Sequence, residues 1–332
     1  MKERVEGHER VESILASLRA GMAQRIVGQE ELVNGILTAC IAGGHVLLEG
    51  VPGLAKTLAV KTFSELCNLS FRRIQFTPDL LPSDLVGTLV FESASSSFSV
   101  RKGPVFANLV LADEINRAPA KVQSALLEAM AERQVTIGET SYSLPDPFFV
   151  LATQNPIEQE GTYSLPEAEL DRFLLKLHIP YPSPQEECTV VQQTIDGNRG
   201  ANRLDAILSP ADLAFLQKAL SQVRCDPSLV SYIVSLCAAS RPLVDPRKAK
   251  KPREDYLKYL SFGASPRASI GLCLTARIQA LFEGRSYVIP EDIKTMAYPV
   301  LRHRLVLSYE AGADGLTADD IIGRILSLIA LP

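Results

Sequence analysis

The spacing of hydrophobic positions changes along the chain and predicts two kinds of element. Near the amino terminus, Val11, Ile14, Leu15 and Leu18 recur at helical spacing and would share one face of a helix over 9–22. Further helices are expected over 29–42, 56–68 and 119–132. Short apolar runs without strict alternation predict buried strands at 45–49, 72–76, 108–112, 148–152 and 174–179.

Strands of this kind, separated by helices, are typical of a parallel sheet covered on both faces. Two stretches, 88–101 and 134–145, differ from this pattern. In each of them two strand-like runs flank a turn, which predicts a β-hairpin. After the proline-rich segment 180–187 the pattern is helical, over 210–222, 227–239, 266–283, 290–298 and 317–330. The predicted fold class is α/β, with a parallel sheet and two inserted hairpins in residues 1–182, a linker over 183–209 and an all-α domain over 210–332.

Composition narrows the class of protein. Among 332 residues, 46% are hydrophobic and 22% charged, which is typical of a globular chain with an ordinary core. A net charge of −4 gives no overall attraction to nucleic acid or anionic membranes. The charged amino terminus lacks a signal-peptide apolar region, and no run of about 18 apolar residues occurs. We therefore expect no membrane insertion and a cytoplasmic location. The six cysteines include no Cys-x-x-Cys pair, so a zinc site is not expected.

The stretch "GVPGLAKT", residues 50–57, follows the first predicted strand and precedes a helix. It approaches the phosphate-binding pattern Gly-x-x-x-x-Gly-Lys-Ser/Thr, in which backbone N–H groups and a helix amino terminus attract phosphate oxygens. Lys56 would reach the β- and γ-phosphates, and Thr57 would bind Mg²⁺. The candidate nucleotide-binding residues here are Gly50, Val51, Pro52, Gly53, Leu54, Ala55, Lys56, Thr57 and Leu58.

Ala55 stands where the general pattern has its last glycine. At the start of a helix, helical dihedral angles would accommodate the alanine methyl group, since alanine is the best helix former. A glycine turn followed by an unrelated Lys-Thr pair is the alternative interpretation.

Acidic residues follow another predicted strand in "NLVLADEINRA", residues 108–118. Ligands of open α/β sheets bind at the carboxyl ends of strands, where Asp113 would hold Mg²⁺ through water. Glu114 could polarise a water molecule for attack on the γ-phosphate. The alternative, two solvated acids after a strand, is weakened by the phosphate loop upstream.

Three further polar residues have two interpretations each. Asn155 could orient the attacking water or touch the γ-phosphate, or simply form an Asn-Pro turn. Arg172 could pair with a carboxylate at a helix end, or reach the γ-phosphate of a neighbouring subunit. Arg267, in the first turn of a predicted helix, could respond to the nucleotide or be a solvated helix-start residue.

Taken in this order, the motifs make the chain resemble AAA+ ATPases, and more closely the MoxR family, over about residues 20–332. The stretches that carry the resemblance are "GVPGLAKT" (50–57), "LLPSDLVGT" (80–88), 102–137, "FFVLATQNPIEQEGTYSLPEAELDRFLLKL" (148–177) and "GASPRA" (263–268). Members of this family commonly have alanine at the position of Ala55, so Ala55 is no departure from the family.

The resemblance implies a role for each motif. Lys56 and Thr57 would be Walker A residues, Asp113 and Glu114 Walker B, Asn155 sensor 1, Arg172 the arginine finger acting in trans, and Arg267 sensor 2. Ile26, Val27 and Gly28 would line the adenine pocket. The hairpins would be the helix-2 insert and the pre-sensor-1 insertion, and the all-α domain the lid.

The resemblance also implies a working context. The family forms hexameric rings of one chain, binds ATP and Mg²⁺, and acts as a chaperone-like remodelling ATPase. Its usual partners have von Willebrand factor A domains, and its proposed roles include metalloenzyme maturation and complex assembly. The client protein is not implied.

Two other functions are weighed against this one. A DNA-directed AAA+ motor or loader would be expected to have basic hairpin tips, but the tips here are "SASSS" (93–97) and "GETS" (138–141). The basic segment 246–254 is interpreted as a solvated loop, with nucleic-acid contact as the alternative. Nucleic acid is therefore not an expected partner.

A non-hydrolysing nucleotide switch is disfavoured by the presence of both Asp113 and Glu114.

Overall fold

A computed structural model of the chain describes residues 2–51, 53–155, 162–196, 204–242 and 252–332. Pro52 and residues 246–251 of the basic segment lie outside the described residues. The chain divides into two units. One contains Ser13–Phe173 and Leu177–Ala214, and the other Met1–Glu12, Leu174–Lys176 and Phe215–Pro332.

The strands, in chain order, are β1 (Val46–Glu49), β2 (Phe71–Gln75), β3 (Gly87–Glu92), β4 (Ser97–Lys102), β5 (Leu109–Asp113), β6 (Gln134–Ile137), β7 (Thr140–Ser143), β8 (Phe149–Gln154), β9 (Leu175–His178), β10 (Leu260–Phe262) and β11 (Val306–Leu307). The helices are α1 (Lys2–Ala23), α2 (Glu30–Ala42), α3 (Lys56–Leu66), α4 (Pro82–Val86), α5 (Ala120–Glu132), α6 (Glu167–Leu170), α7 (Pro184–Ile195), α8 (Pro210–Gln222), α9 (Pro227–Ala239), α10 (Pro266–Phe282), α11 (Pro290–Leu301), α12 (Tyr309–Ala313) and α13 (Ala318–Leu328).

A five-stranded sheet in the order β2-β5-β8-β1-β9 confirms the predicted strands to within two residues at each end. The pairs β2–β5, β5–β8 and β1–β8 are parallel. Val46, Leu47 and Leu48 of β1 are fully buried, as the continuous apolar run predicts for a strand covered on both faces. Because neighbouring strands are parallel, the carboxyl ends of β1, β5 and β8 lie at one edge of the sheet.

Both predicted hairpins are present as antiparallel pairs, β3–β4 and β6–β7. They touch each other, since a Cβ atom added to Gly138 would lie 2.7 Å from Cδ1 of Leu89. Phe91 and Phe98 face each other across the first hairpin, with ring centroids 5.3 Å apart, and both are more than half exposed. The alternation that predicts these hairpins therefore does not bury all of their apolar residues.

The second unit is mainly helical, as the punctuation by proline predicts. Helices α8 and α9 have the predicted bounds, and α11 continues through Pro299 to Leu301, three residues beyond the predicted end. Helix α10 buries its apolar face and is capped by Ser265, whose side chain accepts a hydrogen bond from the Arg267 backbone N–H. The small antiparallel pair β10–β11 was not predicted.

Helix α7 lies in the segment that was predicted to be a linker. Its start is fixed by a capping box, in which the side chains of Ser183 and Glu186 each accept a hydrogen bond from the other's backbone N–H. None of its residues is buried, and the apolar side chains of Val191 and Ile195 are more than half exposed.

None of the helices among the described residues is long and apolar enough to cross a membrane.

Candidate functional site

The loop between β1 and α3 brings the backbone close to its neighbours. A Cβ atom at Gly50 would lie 2.9 Å from Cβ of Ile179 and 3.0 Å from its carbonyl oxygen, so a side chain there would force the two segments apart. Gly53 has φ 89, a conformation that L side chains rarely adopt. The strand, the glycine turn and the helix that a phosphate cradle needs are thus all present.

Ala55 is the residue where the structure departs from the sequence-based expectation. It lies at the start of α3, as predicted, but with φ 57 and ψ 14 rather than helical dihedrals. A left-handed conformation costs an L residue roughly 1–2 kcal/mol, because Cβ crowds the following carbonyl oxygen. The methyl group is therefore accommodated at a strained position that favours glycine, and not at a helical one.

Lys56 begins α3 and turns back over its own loop. Its Nζ donates a hydrogen bond to the Gly50 carbonyl oxygen at 2.6 Å. Burial lowers the pKa of Lys56 from its usual value, and the nearby charges of Asp113 and Glu114 oppose this shift. The Lys56 ammonium group is partly desolvated, and nearby carboxylates stabilise its charge. It is therefore well suited to bind an anion.

Two carboxylates lie at the end of β5, and Thr153 of β8 holds both residues. Its hydroxyl donates to Oδ1 of Asp113 at 2.6 Å and accepts from the Glu114 backbone N–H at 2.8 Å. Glu114 has a left-handed backbone, φ 56 and ψ 50, which turns the chain away from the strand direction. The same hydroxyl therefore fixes the relative position of the two acids.

Polar side chains of β2 and of the turn after β5 surround the two carboxylates. Arg73 donates to Oδ2 of Asp113 from Nη2 at 2.6 Å and from Nε at 3.0 Å. Gln75 donates to Oε2 of Glu114 at 2.8 Å, and Arg117 Nε lies 3.1 Å from the same oxygen. Each acid thus has a partner from β2.

Arg73, Gln75 and Thr153 were not predicted as site residues. A signal for them is present in the sequence, because Arg73 and Gln75 alternate within a predicted strand and so share one sheet face. Thr153 likewise lies two residues before Asn155.

These groups border a cleft of about 400 Å³. It is lined by Gly53, Ala55, Lys56, Thr57, Leu58, Arg73, Asp113, Glu114, Thr153 and Asn155. Asn155 is only 7% exposed. The structure therefore brings together predicted residues from three separate stretches of the sequence.

Other predicted residues lie elsewhere. Ile26 and Gly28 line a second cleft of about 500 Å³, together with Arg19, Ala23, Glu30, Val33 and Asn34. Gly50, Val51 and Leu54 belong to the loop but are not among the residues lining the first cleft, and Val27 lines neither cleft.

The two predicted arginines are outside the first cleft. Arg172 donates from Nη1 to the Leu127 carbonyl oxygen at 2.6 Å. Arg267 lies in the first turn of α10, in the helical unit, and is exposed.

The fold and the cleft define an AAA-type ATPase with a lid domain. Residues 45–175 match the model of the ATPase family associated with various cellular activities, and residues 258–325 match the AAA lid domain. More specifically, the chain belongs to the MoxR family of AAA+ ATPases.

The relatives cover most of the chain. It is 49% identical to Chaperone MoxR1 of Mycobacterium tuberculosis, over 92% of this chain and 79% of the relative. It is 43% identical to the uncharacterized protein YeaC of Bacillus subtilis, over 92% and 91% of the two chains. A crystal structure of a candidate ATPase from Cytophaga hutchinsonii is 45% identical, with a TM-score of 0.90, and covers 100% of this chain and 98% of that one.

Proposed function

We propose that this protein hydrolyses ATP to ADP and phosphate and uses the reaction to remodel partner proteins. The observation that carries the proposal is one cleft lined by Lys56 and Thr57 from the start of α3, Asp113 and Glu114 from the end of β5, and Asn155 from the end of β8. Anion-binding groups and carboxylates in one cleft match the needs of phosphoryl transfer to water.

The donor set also fits Mg²⁺, which prefers oxygen ligands and keeps several of its waters. Thr57 and Asp113 both line the cleft, and Thr153 already orients one Asp113 oxygen. We assign the metal to the Thr57 hydroxyl and, through water, to Asp113. When bound, Mg²⁺ would neutralise charge on the phosphates.

Glu114 is assigned the role of general base. It lies beside Asp113 on the cleft wall, where its carboxylate could accept a proton from water. Lys56 would exchange the Gly50 carbonyl oxygen for phosphate oxygens, and Asn155 would orient the attacking water.

The Glu114 assignment is tested by comparing Glu114→Gln with Glu132→Gln, an exposed glutamate of α5 outside the cleft. We expect Glu114→Gln to bind ATP normally but to hydrolyse it about 100-fold or more slowly, the usual contribution of a general base. The control should keep the wild-type rate. Normal turnover by Glu114→Gln would remove the role assigned to Glu114.

We further propose that the active form is a homo-oligomer, as a hexameric ring, in which Arg172 acts on the nucleotide of a neighbouring subunit. Supporting this, Arg172 lies outside the cleft of its own chain, where Leu127 holds it. Arg267 and the lid over 210–332 would couple nucleotide state to movement, and Ile26, Val27 and Gly28 would contact the adenine.

The trans role of Arg172 predicts how the rate depends on concentration. Specific ATPase activity of the wild type should rise with protein concentration, while Arg172→Ala should stay slow even where it assembles. Lys121→Ala, which removes an exposed cation of α5, is the matched control. Equal rates for wild type and Arg172→Ala at concentrations that favour assembly would exclude a trans arginine.

The substrate of remodelling is proposed as a protein rather than DNA. Chaperone MoxR1 is named a chaperone, and the alignment with it covers 92% of this chain. We infer a partner with a von Willebrand factor A domain and a role in complex assembly or metalloenzyme maturation. Capture with Glu114→Gln held in its ATP-bound form should retain such a partner; ATPase stimulation by DNA instead would favour a DNA-directed motor.

A further inference from the structure

Arg73 occupies the Asp113 oxygen that a metal-bound water would need. Its guanidinium makes two charge-assisted hydrogen bonds to Oδ2, at 2.6 and 3.0 Å, while Thr153 occupies Oδ1. Arg73 and Lys56 both line the cleft where nucleotide is proposed to bind. A cation of the protein therefore already neutralises the carboxylate proposed to receive Mg²⁺.

We propose that Arg73 is a positioning residue that competes with Mg²⁺ for Asp113. This inference rests on the proposed function, because it concerns the same nucleotide site. Before the metal binds, Arg73 keeps Asp113 oriented and charge-neutralised. When Mg²⁺ with its waters approaches Asp113, the guanidinium must leave Oδ2.

The exposure of the pair makes this exchange feasible. The Arg73 side chain is 50% exposed, whereas that of Asp113 is 14% exposed. An arginine with this access to water regains hydration when it leaves, and the arriving metal then compensates the charge of Asp113. Asp113 cannot move as easily, because Thr153 and the strand hold it.

The release of Arg73 would also affect Glu114. Arg73 Nη2 donates to Oε1 of Gln75 at 3.0 Å, and Gln75 Nε2 donates to Oε2 of Glu114 at 2.8 Å. One hydrogen-bond network from β2 therefore contacts both acids of the cleft. Displacing the guanidinium removes the hydrogen bond that orients the Gln75 amide, so metal binding at Asp113 changes the hydrogen bonding of Glu114.

The test measures binding and not turnover. A fluorescent ADP analogue is titrated into the full chain with excess Mg²⁺ and, separately, with excess EDTA, and the ratio of the two Kd values gives the metal dependence. Variants are Arg73→Gln, Arg73→Lys and the matched control Arg72→Gln, whose residue is the neighbouring exposed arginine of β2 and does not line the cleft.

For Arg73→Gln we expect the Kd measured in EDTA, divided by the Kd measured in Mg²⁺, to rise about fivefold. The competitor for Mg²⁺ is gone, and the metal-free complex loses the cation that neutralises Asp113. Arg73→Lys should lie between Arg73→Gln and the wild type, because lysine keeps the charge but not the bidentate contact. Arg72→Gln should match the wild type.

An Arg73→Gln ratio equal to or below that of the wild type would overturn the inference while leaving the proposed function intact, provided that the wild type binds the analogue. A wild type that binds no analogue in either condition would overturn both. Thermal unfolding of each variant identifies any that has lost its fold. If Arg73→Gln does not fold, Arg73→Lys provides the test, and a ratio of Kd values no higher than that of the wild type rejects competition.

Discussion

The two edges of the central sheet differ in how their polar groups are paired. At the carboxyl edge, Lys56, Asp113 and Glu114 pair with groups that a ligand could replace, such as the Gly50 carbonyl oxygen and the half-exposed Arg73. At the amino edge, neutral polar side chains bind mainly backbone atoms of neighbouring segments. The same strands, β1, β5 and β8, supply both edges.

His45 and Asn108 show how the amino edge is built. His45, directly before β1, accepts a hydrogen bond at Nδ1 from the Val150 backbone N–H at 3.0 Å, and its Nε2 lies 3.2 Å from the Met130 carbonyl oxygen. Asn108, directly before β5, accepts from the Ser70 hydroxyl and donates to the Pro147 carbonyl oxygen, both at 2.8 Å.

This difference separates stability from function within one sheet. Neutral polar side chains that bind backbone atoms at strand ends fix strand positions and have little freedom to change partner. Partly exposed charged side chains at the carboxyl edge, such as Arg73, can exchange partners at small cost, which is what a binding site needs. Substitutions at the two edges should therefore change different measured quantities.

The largest expected effect is at the carboxyl edge. Lys56→Ala removes the ammonium group proposed to bind phosphates, and charged hydrogen bonds of this kind contribute about 3 kcal/mol at most. Nucleotide affinity should fall by roughly 100-fold. Calorimetric titration with ADP and Mg²⁺ measures it, with thermal unfolding as the check on the fold.

Asn108→Ala is the counterpart at the amino edge. It leaves the Pro147 carbonyl oxygen without its donor, and the Ser70 hydroxyl and backbone N–H without their acceptor, at a cost of about 2 kcal/mol in unfolding free energy. Nucleotide affinity should stay at the wild-type value. If Asn108→Ala weakened binding as much as Lys56→Ala, the proposed separation of the two edges would be wrong.

The next effect depends on pH and is specific to the amino edge. Burial lowers the pKa of His45 to about 4; the hydrogen bond to Met130 opposes this shift, and the charge of Arg133 adds to it. The unfolded chain has the ordinary value of 6.5. The unfolded state therefore binds the proton more readily, and stability that is complete above pH 6.5 is lost as the pH falls toward 4.

From pH 7 to pH 5, His45 alone should lower the unfolding free energy by about 2 kcal/mol. His45→Asn keeps a donor and an acceptor but does not titrate, so its loss of stability over this range should be smaller by that amount. Urea unfolding of both proteins at each pH provides the measurement. Parallel pH profiles would show that His45 is not the titrating group.

Elements with a strong hydrophobic pattern can be predicted from the sequence, whereas features that depend on contacts are predicted less well. The five strands and both hairpins follow from apolar spacing. The carboxyl ends of β5 and β8 meet because the strands are parallel, which is why Asp113 and Asn155 could be placed together. Helix α7 was not predicted, because the prolines of 180–187 were interpreted as a boundary, although Cys188, Val191 and Ile195 have helical spacing.

Alternation in β2 indicates that Arg73 and Gln75 share a face, but which acid each of them contacts could not be predicted from the sequence. Whether Arg73 reaches Asp113 depends on β2 lying directly beside β5, with Gln75 opposite Asp113. Strand order is set by tertiary packing and cannot be deduced from spacing along the chain. The predicted backbone of Ala55 was wrong for a related reason, because local helix propensity does not describe the geometry of the loop.

The smallest expected effect concerns that residue. Ala55 has φ 57, so Ala55→Gly should relieve strain and raise the unfolding free energy by about 1 kcal/mol, less the entropy that glycine adds to the unfolded chain. Ala125→Gly, in the middle of α5, should do the opposite and lower it by about 1 kcal/mol. Chemical unfolding of the two variants compares them directly. A loss of stability in both would mean that the loop holds Ala55 without strain, and that alanine suits this position as well as glycine.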